Sequence, residues 1–99
     1  MRVLIVEDNP VNQKILNRIL KFYRVGHVVL ANNGKSGVEE YRKSLETGQV
    51  FHLIFMDIFM PVMGGYEATR IIRTMDKNIT IIGLSANASS AARLESVES

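Results

Sequence analysis

The chain of 99 residues has no cysteine, no tryptophan and only two prolines, and 7% of it is aromatic. Without cysteine it has neither a disulfide framework nor a thiolate metal site, which agrees with a cytoplasmic location. No apolar run approaches the ~20 residues that a transmembrane helix needs. The N-terminal residues lead directly into a strand-like run, so we expect no signal peptide. The composition predicts a soluble cytoplasmic domain that makes no membrane contact.

An excess of charge of one sign is also missing. Twelve lysines and arginines against ten aspartates and glutamates leave a net charge of +2, and the charges are scattered. This argues against a nucleic-acid surface. The contents of 46% hydrophobic and 22% charged residues are those of an ordinary globular protein. At this length, residues 1–99 make at most one domain.

Four short apolar runs are continuous, as in strands that are buried on both faces of a parallel sheet. They are Val3–Val6, His27–Leu30, Leu53–Met56 and Ile79–Leu84. Between them the apolar residues have helical spacing. The first such stretch places five residues on one helical face: Val11, Ile15, Leu16, Ile19 and Leu20. The alternation predicts an α/β fold with a doubly wound parallel sheet.

Helix starts and the C-terminal tail complete this organisation. Asn9–Pro10, Asn32–Gly34 and Gly64–Gly65 each carry the signal of a helix start. Residues 86–99 are small and polar and are consistent with a weak fourth helix. A sheet that ended at the fourth strand would expose a hydrophobic edge, which favours aggregation. We therefore expect a missing fifth strand, a swapped partner or a homodimer to cover that edge.

Polar side chains follow three of the predicted strands. Glu7 and Asp8 follow the first strand, Asp57 ends the third, and Ser85 ends the fourth. The carboxyl ends of parallel strands share one edge of the sheet, where ligands bind. Neighbouring carboxylates repel each other unless a cation lies between them, and hard oxygen ligands suit Mg²⁺. Asp57 is then a candidate nucleophile, and Ser85 a hydrogen-bond donor to a phosphate.

Each of these residues also has a purely structural interpretation. Glu7 and Asp8 favour a helix N-terminus through the helix dipole, and Ser85 fits a turn. What favours a site is the coincidence that three separate strand ends deliver compatible groups to one edge. His27 and His52 have no matching ligands in the sequence, so we treat both as structural.

The motifs resemble the receiver domain of two-component response regulators, from Met1 to about Ala92. The matching segments are VLIVEDNPVNQKIL, GHVVLANNGKSGVE, FMDIFMPVMGGYEATRIIR and ITIIGLSANA. The resemblance implies a flavodoxin-like strand order 2-1-3-4 and Asp57 as the phosphoacceptor. It implies Mg²⁺ as the cofactor, bound by Glu7, Asp8, Asp57 and the backbone carbonyl of Phe59. It also implies that Ser85 is the switch hydroxyl.

The segment E-D-N-P-V-N-Q is further similar to receivers of hybrid sensor histidine kinases. This implies a histidine phosphotransfer protein or a histidine kinase as the partner in a phosphorelay. Such a domain assists its own phosphorylation, and only a parent kinase would be an enzyme in the full sense. Receivers carry a lysine and an aromatic switch residue on a fifth strand, so we expect this chain to be incomplete at its C-terminus. Lys77, before the fourth strand, would lie at the opposite end of the sheet.

Three other functions are weighed against this one. A truncated receiver could act as an interaction or dimerisation module without signalling, the homodimer forming through the exposed fourth strand. A phosphohydrolase of the haloacid-dehalogenase type also uses an aspartyl nucleophile, but it needs a second aspartate at the position of Phe59. A flavin-binding module needs a hydroxyl-rich phosphate loop, where Glu7 and Asp8 would repel the phosphate.

Overall fold

The computed structural model describes residues 1–60, 62–85 and 93–96. Its elements, in chain order, are β1 (Arg2–Val6), α1 (Pro10–Phe22), β2 (His27–Ala31), α2 (Gly34–Thr47), β3 (Leu53–Asp57), α3 (Gly65–Met75), β4 (Thr80–Ser85) and β5 (Arg93–Ser96). Each of the four apolar runs is a strand, within a residue of its predicted bounds. The prediction of alternating strands and helices is confirmed up to β4.

The strands form one sheet in the order β2-β1-β3-β4-β5, and the first four are parallel. The predicted order 2-1-3-4 is therefore confirmed. Val6 pairs with Ala31 of β2 and with Met56 of β3, and Asp57 pairs with Leu84 of β4. This register brings the carboxyl ends of β1, β3 and β4 to one edge of the sheet.

The C-terminal part of the sheet departs from the prediction. Arg93–Ser96 forms a fifth strand that is antiparallel to β4, with Ser85 opposite Arg93. The expectation of a weak fourth helix is wrong for these four residues, and the rest of segment 86–99 lies outside the described residues. The expectation of an exposed fourth strand is also corrected, because β5 pairs with it. β5 is antiparallel, so it is not the parallel fifth strand that we expect to be missing. Backbone N–H and C=O groups at the β4 edge need partners, and β5 supplies them.

Side chains of β1 alternate between two hydrophobic clusters, one on each face of the sheet. Leu4 and Val6 belong to the cluster that contains Tyr41 of α2 and Ile72 of α3. Val3 and Ile5 belong to a smaller cluster that contains Leu20 of α1. Helices therefore cover both faces, which confirms the doubly wound architecture.

Helix α1 buries less of its apolar surface than its spacing predicts. Leu20 is buried and Leu16 packs partly buried against the core. In contrast, Val11, Ile15 and Ile19 are 63%, 51% and 48% exposed. The apolar arc is wider than the strip that one helix presents to a sheet, so only one side of it is covered. Of the five residues that the spacing places on one helical face, these three therefore remain largely exposed.

Capping residues start the first two helices where the sequence predicts. The Asn9 side chain accepts a hydrogen bond from the Val11 N–H at 2.8 Å, and the Asn33 side chain accepts one from the Ser36 N–H at 2.8 Å. Among the described residues, no helix is both long enough and apolar enough to cross a membrane.

Candidate functional site

Three carboxylates meet at the carboxyl edge of the sheet. Glu7 and Asp8 follow β1, and Asp57 is the last residue of β3. One carboxylate oxygen from each residue lies within 4.8 Å of the others. Glu7 is only 2% exposed, Asp57 is half-buried and Asp8 is exposed. The structure thus brings together the three acidic residues that the sequence singled out.

Asp57 carries the clearest electrostatic signature of the site. Its pKa is raised from the ordinary value of 3.8 to about 7. Burial is the main cause, followed by the negative charge of Glu7 and a hydrogen bond with Asp8. The Phe59 N–H donates to Asp57 Oδ1 at 3.1 Å and acts in the opposite direction. Near neutral pH, this set of carboxylates therefore holds a proton or favours a cation.

The residues at the site fit a small divalent cation. Mg²⁺ prefers oxygen ligands, keeps several of its waters and binds through one or two carboxylates. Glu7, Asp8 and Asp57 supply three such groups from a partly open edge, so waters have room. The pKa of Asp57 is raised first by burial and then by the negative charge of Glu7, and a bound cation would offset both. Phe59 lies two residues beyond Asp57 and its side chain is 71% exposed; the role of its carbonyl stays a prediction.

Amide groups at the start of α1 hold Glu7. Its Oε1 accepts hydrogen bonds from the Asn9 N–H at 3.2 Å and from Asn12 Nδ2 at 3.1 Å. Gln13 Nε2 donates to the Glu7 carbonyl oxygen at 2.6 Å and to Asn32 Oδ1 at 3.0 Å. Sequence reasoning treated Asn9 only as a cap and did not single out Asn12 or Gln13. The one available signal was a cluster of amide side chains in the helix turn after an acidic pair.

The loop after Asp57 lies unusually close to the end of β3. A Cβ on Gly65 would lie 2.3 Å from the Asp57 carbonyl oxygen, whereas one on Gly64 would only reach ordinary contact at 3.5 Å from the Ile58 oxygen. Of these two glycines, Gly65 is therefore the one that the close approach of the loop to the Asp57 backbone requires. Val62, in the same loop, has a φ of 74°, which β-branched residues rarely adopt. Such strain is common beside functional sites.

The fourth strand reaches the same edge. Asp57 pairs with Leu84, and the Ile58 N–H donates to the Leu84 carbonyl oxygen at 3.0 Å. Ser85 follows Leu84 as the last residue of β4, so its backbone lies at this edge, and its side chain is outside the described part of the structure. Lys77 precedes β4 and lies at the opposite edge, as predicted.

Comparisons with known proteins identify the same family as the sequence motifs do, the receiver domains of response regulators. Residues 3–99 match the family model described as "Response regulator receiver domain". The response regulator SSK1 of Verticillium dahliae is 37% identical over 99 residues, which cover 100% of this chain and 11% of that protein. The chain spans about a tenth of the length of the first curated relatives that it matches, at 10%, 11% and 8%.

Two solved structures show the similarity in three dimensions. The receiver domain of the histidine kinase CKI1 from Arabidopsis thaliana, complexed with Mg²⁺ and BeF₃⁻, has a TM-score of 0.76 and 35% identity over 89% of this chain and 69% of that chain. The receiver domain of Saccharomyces cerevisiae Ssk1, crystallised with the histidine phosphotransfer protein Ypd1, has a TM-score of 0.74 and 32% identity over 90% and 66%. The strand order and the match over nearly the whole chain together lead to one conclusion: the chain belongs to the receiver-domain family of two-component response regulators.

Proposed function

We propose that this receiver domain takes a phosphoryl group from a phosphohistidine onto Asp57, with Mg²⁺ as cofactor, and switches conformation through Ser85. The observation that carries the proposal is the convergence of the Glu7, Asp8 and Asp57 carboxylates within 4.8 Å. The similar CKI1 receiver, crystallised with Mg²⁺ and BeF₃⁻, supports the choice of cofactor. The cytoplasmic location remains a prediction from the sequence.

Asp57 acts in this proposal as the nucleophile. An ionised oxygen of its carboxylate attacks phosphorus, and the P–N bond to the donor histidine breaks as the new P–O bond forms. The released imidazole nitrogen keeps the electron pair of the broken bond and takes up a proton from water. When bound, Mg²⁺ would supply positive charge that offsets the charge of the transferring group. Glu7, Asp8, Asp57 and the Phe59 carbonyl would hold it.

Ser85 acts after the transfer. Because the ends of β3 and β4 are joined through the Ile58–Leu84 hydrogen bond, a phosphoryl group on Asp57 would lie beside the end of β4. A hydroxyl at Ser85 would donate a hydrogen bond to it. New contacts to a phosphate bias a two-state element, which is how phosphorylation changes the surface of a domain.

The exposed side of α1 supports the choice of partner. It forms a stripe at helical spacing that starts next to the acidic residues; we call Val11, Ile15, Ile19 and Phe22 the α1 stripe. Phe22 is 79% exposed, and the stripe with Lys14 and Arg18 lines a groove of about 530 Å³. Exposed apolar surface of this kind marks an interaction site.

A histidine phosphotransfer protein is the occupant that we propose for the α1 stripe. Any phosphohistidine donor must cover the carboxyl edge of the sheet, and the stripe continues from that edge along α1. An apolar helix face docks well against the apolar face of another helix. Lys14 and Arg18 add positive charge suited to an acidic surface. The similar Ssk1 receiver was crystallised with such a protein, and a histidine kinase is the other possible donor.

Labelling by a small phosphodonor tests the proposed chemistry directly. Incubation with acetyl phosphate should add the mass of one phosphoryl group in the presence of Mg²⁺ and not in EDTA. Asp57→Asn should abolish the gain, while Glu46→Gln, which changes an exposed carboxylate of α2, should leave it intact. A wild-type chain that gains no mass, or an Asp57→Asn variant that gains as much as wild type, would contradict the proposal.

The second function weighed from the sequence is an interaction or dimerisation module without signalling. Its homodimer through the fourth strand gains no support, because it needs an open edge there and β5 pairs with that edge over Ile82–Ser85. The phosphoacceptor function is therefore the one that the site favours.

A further inference from the structure

We infer that Asn12 is a positioning residue for the metal site: its side-chain amide orients the Glu7 carboxylate toward the cation. The inference rests on the proposed function, because it assigns a role in holding the Mg²⁺ of that same site. It concerns a residue of α1 that lies outside the acidic cluster itself.

The burial of Glu7 is the first step in the argument. A carboxyl group that is only 2% exposed needs hydrogen-bond partners, because burial takes away the water that would otherwise solvate it. Glu7 receives two, from the Asn9 N–H and from the Asn12 amide, and both end on Oε1. Two donors on one oxygen fix the plane of the carboxylate. Oε2 lies outside both bonds and is the oxygen left for the cation or one of its waters.

The two donors play different parts. The Asn9 N–H belongs to the backbone of the β1–α1 loop, and the Asn9 side chain caps α1. Asn12 lies in the first turn of α1, and among the described residues it is the one side chain with an amide donating to the Glu7 carboxylate. Asn12 is itself exposed. Replacing it therefore removes an orienting bond and leaves the cap and the core in place.

Gln13 contacts the backbone of Glu7 and not its carboxylate. Its amide donates to the Glu7 carbonyl oxygen and to Asn32 Oδ1, so it ties the end of β1 to the loop before α2. The Asn12 side chain, by contrast, donates to the Glu7 carboxylate, and it is the Asn12 backbone N–H that donates to the Asn9 cap. Hydrogen bonds that orient a metal ligand commonly change metal affinity about 10-fold to 100-fold when they are lost. Asn12 is thus the position at which orientation of Glu7 can be tested alone.

The test is calorimetric titration of the metal-free chain with MgCl₂. In Asn12→Leu we expect the Kd for Mg²⁺ to rise about tenfold. Asn12→Gln keeps an amide on a longer side chain and should lose less affinity. Asn17→Leu, which makes the same change further along α1, should bind as wild type does. Circular dichroism checks that each variant is folded, and Asn12→Ser, too short to reach Glu7, replaces the leucine variant if that one unfolds.

The outcomes separate this inference from the proposed function. A structural role alone would lower the unfolding temperature of the Asn12→Leu chain in EDTA and leave the Kd within about twofold of wild type, which would overturn the inference. If wild type is labelled and binds Mg²⁺ while the Asn12 variants bind equally well, only the inference fails. If wild type neither binds Mg²⁺ nor is labelled, the proposed function fails first.

Discussion

Asp57 combines a half-buried position with two acidic neighbours, Glu7 and Asp8. Its pKa in the metal-free fold is about 7, against 3.8 ordinarily. Between these two values the folded chain binds a proton that the unfolded chain has lost. The free energy of unfolding therefore falls as the pH rises from about 4 to about 7, and it falls no further above that.

We expect this effect in chemical unfolding of the metal-free chain. The loss across the window should be about 1–2 kcal/mol, less than the full shift implies because the site is partly open to solvent. Asp57→Asn should flatten the decline and make the chain more stable than wild type above about pH 7. Glu46→Gln should keep the wild-type slope. An Asp57→Asn chain with the same slope as wild type would show that another group causes it.

Thr69 of α3 is a second residue with an identifiable energetic cost. It is fully buried, and its Oγ1 finds no hydrogen-bond partner within the described part of the chain. A buried hydroxyl without a partner is unfavourable. Thr69→Val keeps the shape of the side chain and should raise the free energy of unfolding by about 1 kcal/mol. Thr69→Ser keeps the hydroxyl and loses a methyl group, so urea unfolding should find it less stable than wild type; equal stabilities would refute the argument.

For single residues, the sequence predicted which acidic side chains would meet, because each follows or ends a recognisable apolar run. It did not predict which hydrogen bonds orient these side chains. Whether Asn12 reaches back to Glu7 depends on side-chain rotamers and on the exact start of α1, and neither has a simple sequence pattern. The burial of Thr69 without a partner is equally invisible in the sequence.

Among the elements, the junction of β3 with α3 depends on Gly65. A methyl group there would overlap the Asp57 carbonyl oxygen and the Ile58 Cα, which lie at 2.3 and 2.7 Å from the Cβ position. Gly65→Ala should therefore lower the free energy of unfolding by about 1–3 kcal/mol and weaken Mg²⁺ binding, because the backbone that carries Asp57 must move.

Gly64→Ala is the matched control for that change. Its Cβ would meet only the Ile58 oxygen at 3.5 Å, and its φ of −71° suits alanine. Loss of a good N-cap residue and the lower entropy of the unfolded chain roughly cancel. Urea unfolding of both variants should separate them clearly. Two equally destabilised variants would mean that the loop needs both glycines.

The elements differ in how far their own residues determine them. β1 to β4 are continuous apolar runs, so their sequences suffice. Arg93–Ser96 has the residues R-L-E-S, which carry no strand pattern. That segment becomes a strand because the edge of β4 offers unpaired backbone groups, a tertiary cause that outweighs local propensity. In the same way, the sheet decides which side of the apolar arc of α1 is buried.

Across the whole molecule, the edge of the sheet at the carboxyl ends of the strands and the edge at their amino ends have different roles. At the edge opposite the acidic site, the buried Tyr41 of α2 donates a hydrogen bond to Asp76 beyond α3 at 2.6 Å. Burial raises the pKa of Tyr41, and the hydrogen bond from Tyr41 lowers that of Asp76. This contact ties α2 to the end of α3. The carboxyl edge instead gathers repelling carboxylates, a strained loop and the start of the exposed α1 stripe, which suits a surface that changes and is recognised.

That division of roles leads to the final prediction, on partner docking. Ile15 lies in the middle of the α1 stripe and is 51% exposed. Ile15→Asp should slow phosphotransfer from a phosphorylated histidine phosphotransfer protein such as Ypd1 about tenfold, because a charge replaces a central apolar contact. Labelling by acetyl phosphate should not change, since that small donor needs only the acidic edge.

Val50→Asp provides the comparison for Ile15→Asp. Val50 is 41% exposed and precedes β3, at the edge away from Asp57. If the stripe guides docking, quench-flow transfer assays should give a wild-type rate for Val50→Asp and a slow one for Ile15→Asp. Equal rates for both variants would place the partner elsewhere on the carboxyl edge and leave Asp57 as the acceptor. Slow acetyl phosphate labelling of Ile15→Asp would instead mean that the charge disturbs the site through α1.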